Sequence, residues 1–131
     1  MVEFSVAETA FLKEQEVGRL ATVSGRSMPQ ITPVLYVFDS GNLYFATDYG
    51  TKKLDNMKLN NRVAMVVDSY ARQPKGITVQ GSVKIIENGA EFARIEKLLE
   101  ERHGYYKANP FKEGEAPIII IGPTTKASWG L

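Results

Sequence analysis

The sequence has no cysteine and a single histidine, His103. The first absence excludes disulfides, thiolate catalysis and cysteine-based metal sites. The second argues against a histidine-rich metal centre or a Ser-His-Asp triad. No run approaches the roughly 20 apolar residues that span a bilayer. Neither sign of charge dominates: 16 Lys and Arg stand against 15 Asp and Glu, a net charge of +1. Such a balance gives no general reason to expect nucleic acid or a membrane surface as partner. The N-terminal stretch MVEFSVAETAFLKEQE carries acids and no signal-like apolar block, so a cytoplasmic location is expected.

What is present is ordinary globular material. The 131 residues, 44% hydrophobic and 24% charged, favour a single domain over residues 1–131. Ser5 followed by Glu8 fits a capping box, which predicts a helix from about 6 to 15. Strand patterns follow at GRLATVS (18–24), PQITPVLYVF (29–38) and LYFAT (43–47), the last two joined by the hairpin signal DSGN. Pro33 removes a ladder donor and so marks an edge or a bulge. TKKLDNMKLN (51–60) reads as a short helix with Leu54, Met57 and Lys58 on one side, and RVAMVVD (62–68) as a buried strand.

ITVQGSVKIIE (77–87) is another long strand, whose mid-strand Gly81 predicts a bulge or a close backbone approach. Asn88 and Glu91 form a second capping pattern, and Phe92, Ile95, Leu98 and Leu99 recur at helical spacing up to a stop at Gly104. YYKANPFKEGEAP reads as irregular, and PIIII (117–121) and TKASWGL (125–131) as two closing strands. Short links imply antiparallel neighbours. The expected fold is therefore mainly β: a six- to seven-stranded antiparallel barrel with three helices at its edges. There is no βαβ rhythm and no G-x-G-x-x-G, which argues against a dinucleotide fold.

Three groups of residues could carry chemistry. In GTKKLDNMKLNN a helix opens on Thr51, Lys52 and Lys53. Free N–H groups, a hydroxyl and two cations suit a phosphate, although lysines at a helix start are also common on a merely solvated face. In ITPV (31–34), Thr32 and Pro33 interrupt an apolar strand, which either exposes backbone to a ligand or is a plain edge. Trp129, near the C-terminus, either fills a core or reaches a partner. His103 closes a helix, and Tyr105 and Tyr106 either cover a ligand or pack.

The order of these pieces resembles the FMN-binding split-barrel family, which includes pyridoxamine 5'-phosphate oxidase-like proteins and small FMN-binding proteins. The pieces are GRLATV, PQITPVLYVFDSGNLYFAT, GTKKLDNMKLNNRVAMVV and ITVQGSVKII with the helix after it, roughly residues 8 to 100. The most specific element is K-x-x-N, here Lys53 and Asn56, followed by NNRVAMVV. The resemblance implies a split barrel that forms a homodimer with two flavins at the subunit interface. It implies that Lys53 contacts the flavin phosphate, with Lys52 the alternative, that Asn56 belongs to the same cofactor site, and that Thr51 and Thr47 face the same tail. Thr32, Pro33 and Val34 would run beside the ring, Gln80 would precede a mid-strand glycine at the site, and Trp129 would come from the second subunit.

The chain is shorter than true pyridoxamine phosphate oxidases and lacks their C-terminal segment with its arginine and histidine, which argues against the vitamin-forming activity. The functional expectation is an FMN-dependent oxidoreductase acting on a small molecule or electron donor. A non-catalytic FMN or electron carrier, a deazaflavin enzyme using Arg72 and Lys75, and an oligonucleotide or oligosaccharide barrel are the alternatives.

Overall fold

The computed structural model describes residues 2–131. The first helix, α1 (Val6–Glu14), starts as its sequence dictates. The Ser5 hydroxyl accepts from the Glu8 N–H at 3.0 Å, and the Glu8 carboxylate accepts from the Ser5 N–H at 2.9 Å. Its Phe11 and Leu12 enter the core. Six strands then form the body: β1 (Val17–Val23), β2 (Pro29–Asp39), β3 (Asn42–Ala46), β4 (Arg62–Ser69), β5 (Lys75–Ile86) and β6 (Ile118–Trp129). Helix α2 (Lys52–Leu59) lies between β3 and β4, and α3 (Ala90–Arg102) and α4 (Gly104–Ala108) lie between β5 and β6.

Every strand pairing is antiparallel, and the sheet closes in the order β1-β2-β3-β6-β5-β4. This is the mainly β split barrel with peripheral helices that the sequence predicts. The closure is uneven. β1 meets β4 over only Arg19–Ala21, and β2 meets β3 only over Tyr36–Asp39. Residues 29–35 of β2 therefore pair with β1 alone and leave their other edge open. Pro33 sits in that open half, where its missing donor costs the ladder nothing.

Strand alternation sorts the barrel into two apolar clusters. Tyr36, Phe45, Met65, Val79, Ile119 and Ile121 point inward and meet Leu12, Leu54 and Met57 from α1 and α2. Val37, Tyr44 and Ile118 point outward and are covered by Phe92, Ile95 and Leu99 of α3. At about 1.5–3 kcal/mol for each large apolar side chain, this burial is the main favourable contribution to folding.

The DSGN hairpin forms as expected, with Ser40 at φ 52° and Gly41 at φ 80°, the two positive angles of a type I′ turn. The Gly81 expectation also holds. The β5–β6 register shifts between Gln80 and Gly81, and a Cβ on Gly81 would lie 2.2 Å from the Gly122 carbonyl oxygen.

Several local readings are corrected. α3 is not capped by Asn88: its N-cap is Gly89, at φ 97°, with no side-chain bond. It ends at Arg102, where extended His103 donates its N–H to the Leu99 carbonyl, and Gly104 opens α4 instead of stopping a helix. On α2 the third buried residue is Asn56, while Lys58 is exposed. The two closing strands are one, because β6 runs continuously beside all of β5. Among the described residues no helix is long and apolar enough to cross a membrane.

Candidate functional site

The open edge of β2 faces a cavity of about 430 Å³, within the range of roughly 300–1,000 Å³ usual for small-molecule sites. Pro33, Val34 and Leu35 of β2 form one wall, and Ala46 and Thr47 at the end of β3 another. Asp48, Thr51 and Lys53 come from the β3–α2 junction. Tyr105, Tyr106 and Asn109 from α4 and its end, with Phe111 and Ala116, close the remaining side.

The junction is shaped by its backbone. Gly50 adopts φ 82° with nothing within 4 Å of where a Cβ would stand, so conformation alone favours glycine there. The turn brings Thr51 beside Thr47, their hydroxyls 3.0 Å apart, and the Thr51 hydroxyl donates to the Asp48 carbonyl at 3.0 Å. Thr51 is the N-cap of α2, yet its side chain is spent on these contacts and does not cap the helix. The first N–H groups of α2 are thus left without a side-chain acceptor beside a half-buried Lys53. Helix-start N–H groups, a hydroxyl and a cation are the donors that an anion takes, and the Asp48 carboxylate lines the same corner. Lys52, one residue earlier, is exposed and does not line the cavity.

Asn56 plays another part in the same construction. It is buried, and its Nδ2 donates to the Thr22 hydroxyl at 3.0 Å and to Gln30 Oε1 at 3.1 Å. These bonds tie α2 to β1 and β2, while Leu54 and Met57 enter the core. The orientation of the helix, and so of Lys53, follows from both.

Of the residues singled out in the sequence, Pro33, Val34, Thr47, Thr51 and Lys53 converge on this cavity. Thr32 does not line it; its hydroxyl is enclosed without a partner. Gln80 lies on β5 and faces a second cavity of about 570 Å³, lined also by Thr22, Pro29, Arg62, Gly81 and Thr124. Trp129, at the far end of β6, packs over Gly76. Neither residue lines the Lys53 cavity.

Sequence reasoning missed Asp48, Asn109, Phe111 and Ala116. It left Tyr105 and Tyr106 open as cover or packing. The Tyr106 phenol is pushed up from its ordinary pKa by burial, and further by Tyr105 and the Asp48 charge, so it stays protonated at neutral pH. His103 contributes to neither cavity. Its ring is buried and Nε2 donates to the Tyr36 carbonyl at 2.7 Å.

A family model for pyridoxamine 5'-phosphate oxidase matches residues 6–122. The chain is 31% identical over 99 residues to 5a,11a-dehydrotetracycline/5a,11a-dehydrooxytetracycline reductase from Streptomyces rimosus subsp. rimosus, which covers 70% of each sequence. Among solved structures, the heme storage protein HutZ of Vibrio cholerae superposes with a TM-score of 0.82 at 15% identity, over 98% of this chain and 94% of its own. An F420 reductase superposes with a TM-score of 0.73 at 24% identity, over 90% and 94%. At such identities the two structures attest the fold.

Proposed function

Since this chain belongs to the pyridoxamine 5'-phosphate oxidase family, we propose that it is a flavin-dependent oxidoreductase that holds FMN in the cavity beside the open edge of β2. The observation that carries this reading is the meeting of three features in one cavity: an uncapped helix start, the Thr47–Thr51 hydroxyl pair, and Lys53. Together they offer N–H and O–H donors and one cation to a terminal phosphate. The unpaired edge of β2 at Pro33–Leu35 offers a flat, partly apolar flank for a ring system.

A bound flavin supplies the hydride or electron transfer itself. What the chain supplies is placement and shielding. Lys53 and the α2 start hold the tail, Asn56 fixes the helix that carries them, and β2 sets the face presented to a substrate. The relative that reduces a dehydrotetracycline supports reductive chemistry on a small organic substrate.

A homodimer is part of the proposal. Gln80 and Trp129 stand away from the Lys53 cavity of their own chain, so they would reach a flavin only from a second copy. Ile31 and Met28, 64% and 66% exposed near the β1–β2 turn, provide apolar surface for such a contact.

A deazaflavin in the same cavity is the second reading, supported by the fold shared with the F420 reductase. Heme fits less well, because the one histidine is enclosed and already bonded to Tyr36. The test is a visible spectrum of the purified protein, before and after addition of FMN, with any chromophore identified by mass. A flavin band, or uptake of FMN, supports the reading; neither sinks it. Stopped-flow reduction by nicotinamide cofactors with a panel of acceptors then separates an enzyme from an electron carrier.

A further inference from the structure

Two walls of the Lys53 cavity begin one residue from the same hydrogen bond. Leu35 ends the open half of β2, and Tyr36 after it is the first residue of that strand to pair with β3. Gly104 opens α4, whose Tyr105 and Tyr106 line the cavity, and His103 stands directly before it. The His103 side chain joins the two walls: it is enclosed, and its Nε2 donates to the Tyr36 carbonyl at 2.7 Å. The His103 backbone serves both helices. Its N–H closes α3 on the Leu99 carbonyl, and its carbonyl accepts the Tyr106 and Lys107 N–H groups of α4, both at 3.0 Å. Beside it, the Arg102 guanidinium donates to the Glu14 and Gln15 carbonyls at 2.7 and 3.2 Å, which ties the same joint to the link between α1 and β1. Tyr36 is itself held on two sides. Its N–H donates to the Glu16 carbonyl at 3.3 Å, and its phenol to the Leu12 carbonyl at 2.6 Å.

We infer that His103 is a positioning residue: it pins the start of α4 to the end of the open β2 edge, and so sets the spacing of the two walls that flank the ring of a bound flavin. The inference rests on the flavin reading above. The phosphate corner is braced separately. Thr47 and Thr51 hold each other, and Asn56 ties α2 to Thr22 and Gln30; none of these bonds involves α4 or His103. A change at His103 therefore reaches the ring's share of the affinity and leaves the phosphate's share in place. A carbonyl only accepts, so the residue at position 103 must bring a donor. Leucine brings none. It leaves an enclosed carbonyl unpaired and the joint free to shift. Glutamine brings an amide N–H.

The experiment uses the full chain, freed of flavin and titrated with riboflavin and FMN by fluorescence. The ratio of the two dissociation constants measures the phosphate's share. His103→Leu should weaken both flavins about fivefold or more and keep their ratio within about twofold of the wild type's, whereas Lys53→Ala should bring the ratio toward one. His103→Gln, which restores a donor, should bind both flavins within about twofold of the wild type. If His103→Leu loses its circular dichroism spectrum, Arg102→Ala carries the test, since it removes the neighbouring tie of the same joint. It should weaken both flavins about threefold at the same ratio. A folded His103→Leu or Arg102→Ala variant that binds both flavins as the wild type does overturns the inference and leaves the flavin reading standing. So does a loss confined to FMN, or a His103→Gln variant that binds no better than His103→Leu. Binding of neither flavin by the wild type overturns both.

Discussion

Thr47 and Thr51 hold each other across the joint between β3 and α2, hydroxyl to hydroxyl, at 3.0 Å. Thr47 is buried and Thr51 half-buried, so the pair fixes how the helix leaves the strand. It also uses the hydroxyl that would otherwise cap α2, which leaves the helix start available to an anion.

Lys53→Ala should weaken FMN binding by about 1.5–3 kcal/mol, the scale of a lost charge-assisted contact, or roughly ten- to a hundredfold in Kd. Lys52→Ala should cost clearly less, since Lys52 does not line the cavity. Calorimetric titration of both variants decides, and equal losses would remove the distinction between the two lysines.

Asn56→Ala should also weaken FMN, but through the helix. It leaves the buried Thr22 hydroxyl without its donor and takes from Gln30 Oε1 the shorter of its two bonds, since only the Thr22 hydroxyl at 3.5 Å remains. Unfolding by urea should show about 1–3 kcal/mol of lost stability. A variant as stable as the wild type would deny Asn56 its bracing role.

Glu8 gives the fold an acid-sensitive tie. Burial raises its pKa, but the bonds to Lys126, the Ser5 N–H and Ser128 outweigh that and bring it down from 4.5 to about 2. A depressed carboxylate contributes stability above its unfolded pKa, and the contribution is lost as pH falls from about 4.5 through about 2. Glu8→Gln should cost roughly 2 kcal/mol at pH 7 and progressively less below pH 4, as read from melting temperature against pH. Parallel curves for the two proteins would contradict this.

Glu96 works in the opposite sense. Burial first, and then the neighbouring Glu100 one turn along α3, raise its pKa from 4.5 to about 7. A carboxyl with a raised pKa adds stability at low pH, and that is lost as pH rises from about 4.5 through about 7. Glu96→Gln, which stays neutral, should flatten this decline, so that its melting temperature exceeds that of the wild type at pH 8 and matches it near pH 5.

Gly81→Ala should destabilise the barrel by about 1–3 kcal/mol. The added Cβ would stand 2.2 Å from the carbonyl oxygen and 2.9 Å from the carbonyl carbon of Gly122, which is backbone on the paired strand and cannot swing aside. A melting temperature unchanged by the substitution would mean that β6 gives way easily.

Much of this was legible along the chain. The capping box at Ser5 and Glu8 predicts its helix because all its partners lie within four residues. The turn at Ser40 and Gly41 predicts its hairpin for the same reason. The order of strand patterns carried the family resemblance, and K-x-x-N named the lysine that reaches the cavity. The α4 segment was misread as irregular because GYYKA has too few residues for a periodic signal; its order comes from packing on Phe111 and His103. Asn56 was legible only as half of K-x-x-N, and it is the approach of Thr22 and Gln30, 34 and 26 residues away, that makes it a buried brace.

Alone, then, the sequence determined the strands, the first helix, the tight turn, the absence of thiol chemistry and the cluster at Thr51–Lys53, because periodicity, capping and composition act over a few bonds. The tertiary structure decided which of those residues share a cavity. It set Gln80 and Trp129 apart from Lys53, brought Tyr105 and Asp48 to the same cavity, and tied Glu8 to Lys126 across 118 residues. Such meetings depend on how a closed sheet brings distant strands together, and no local pattern encodes that distance.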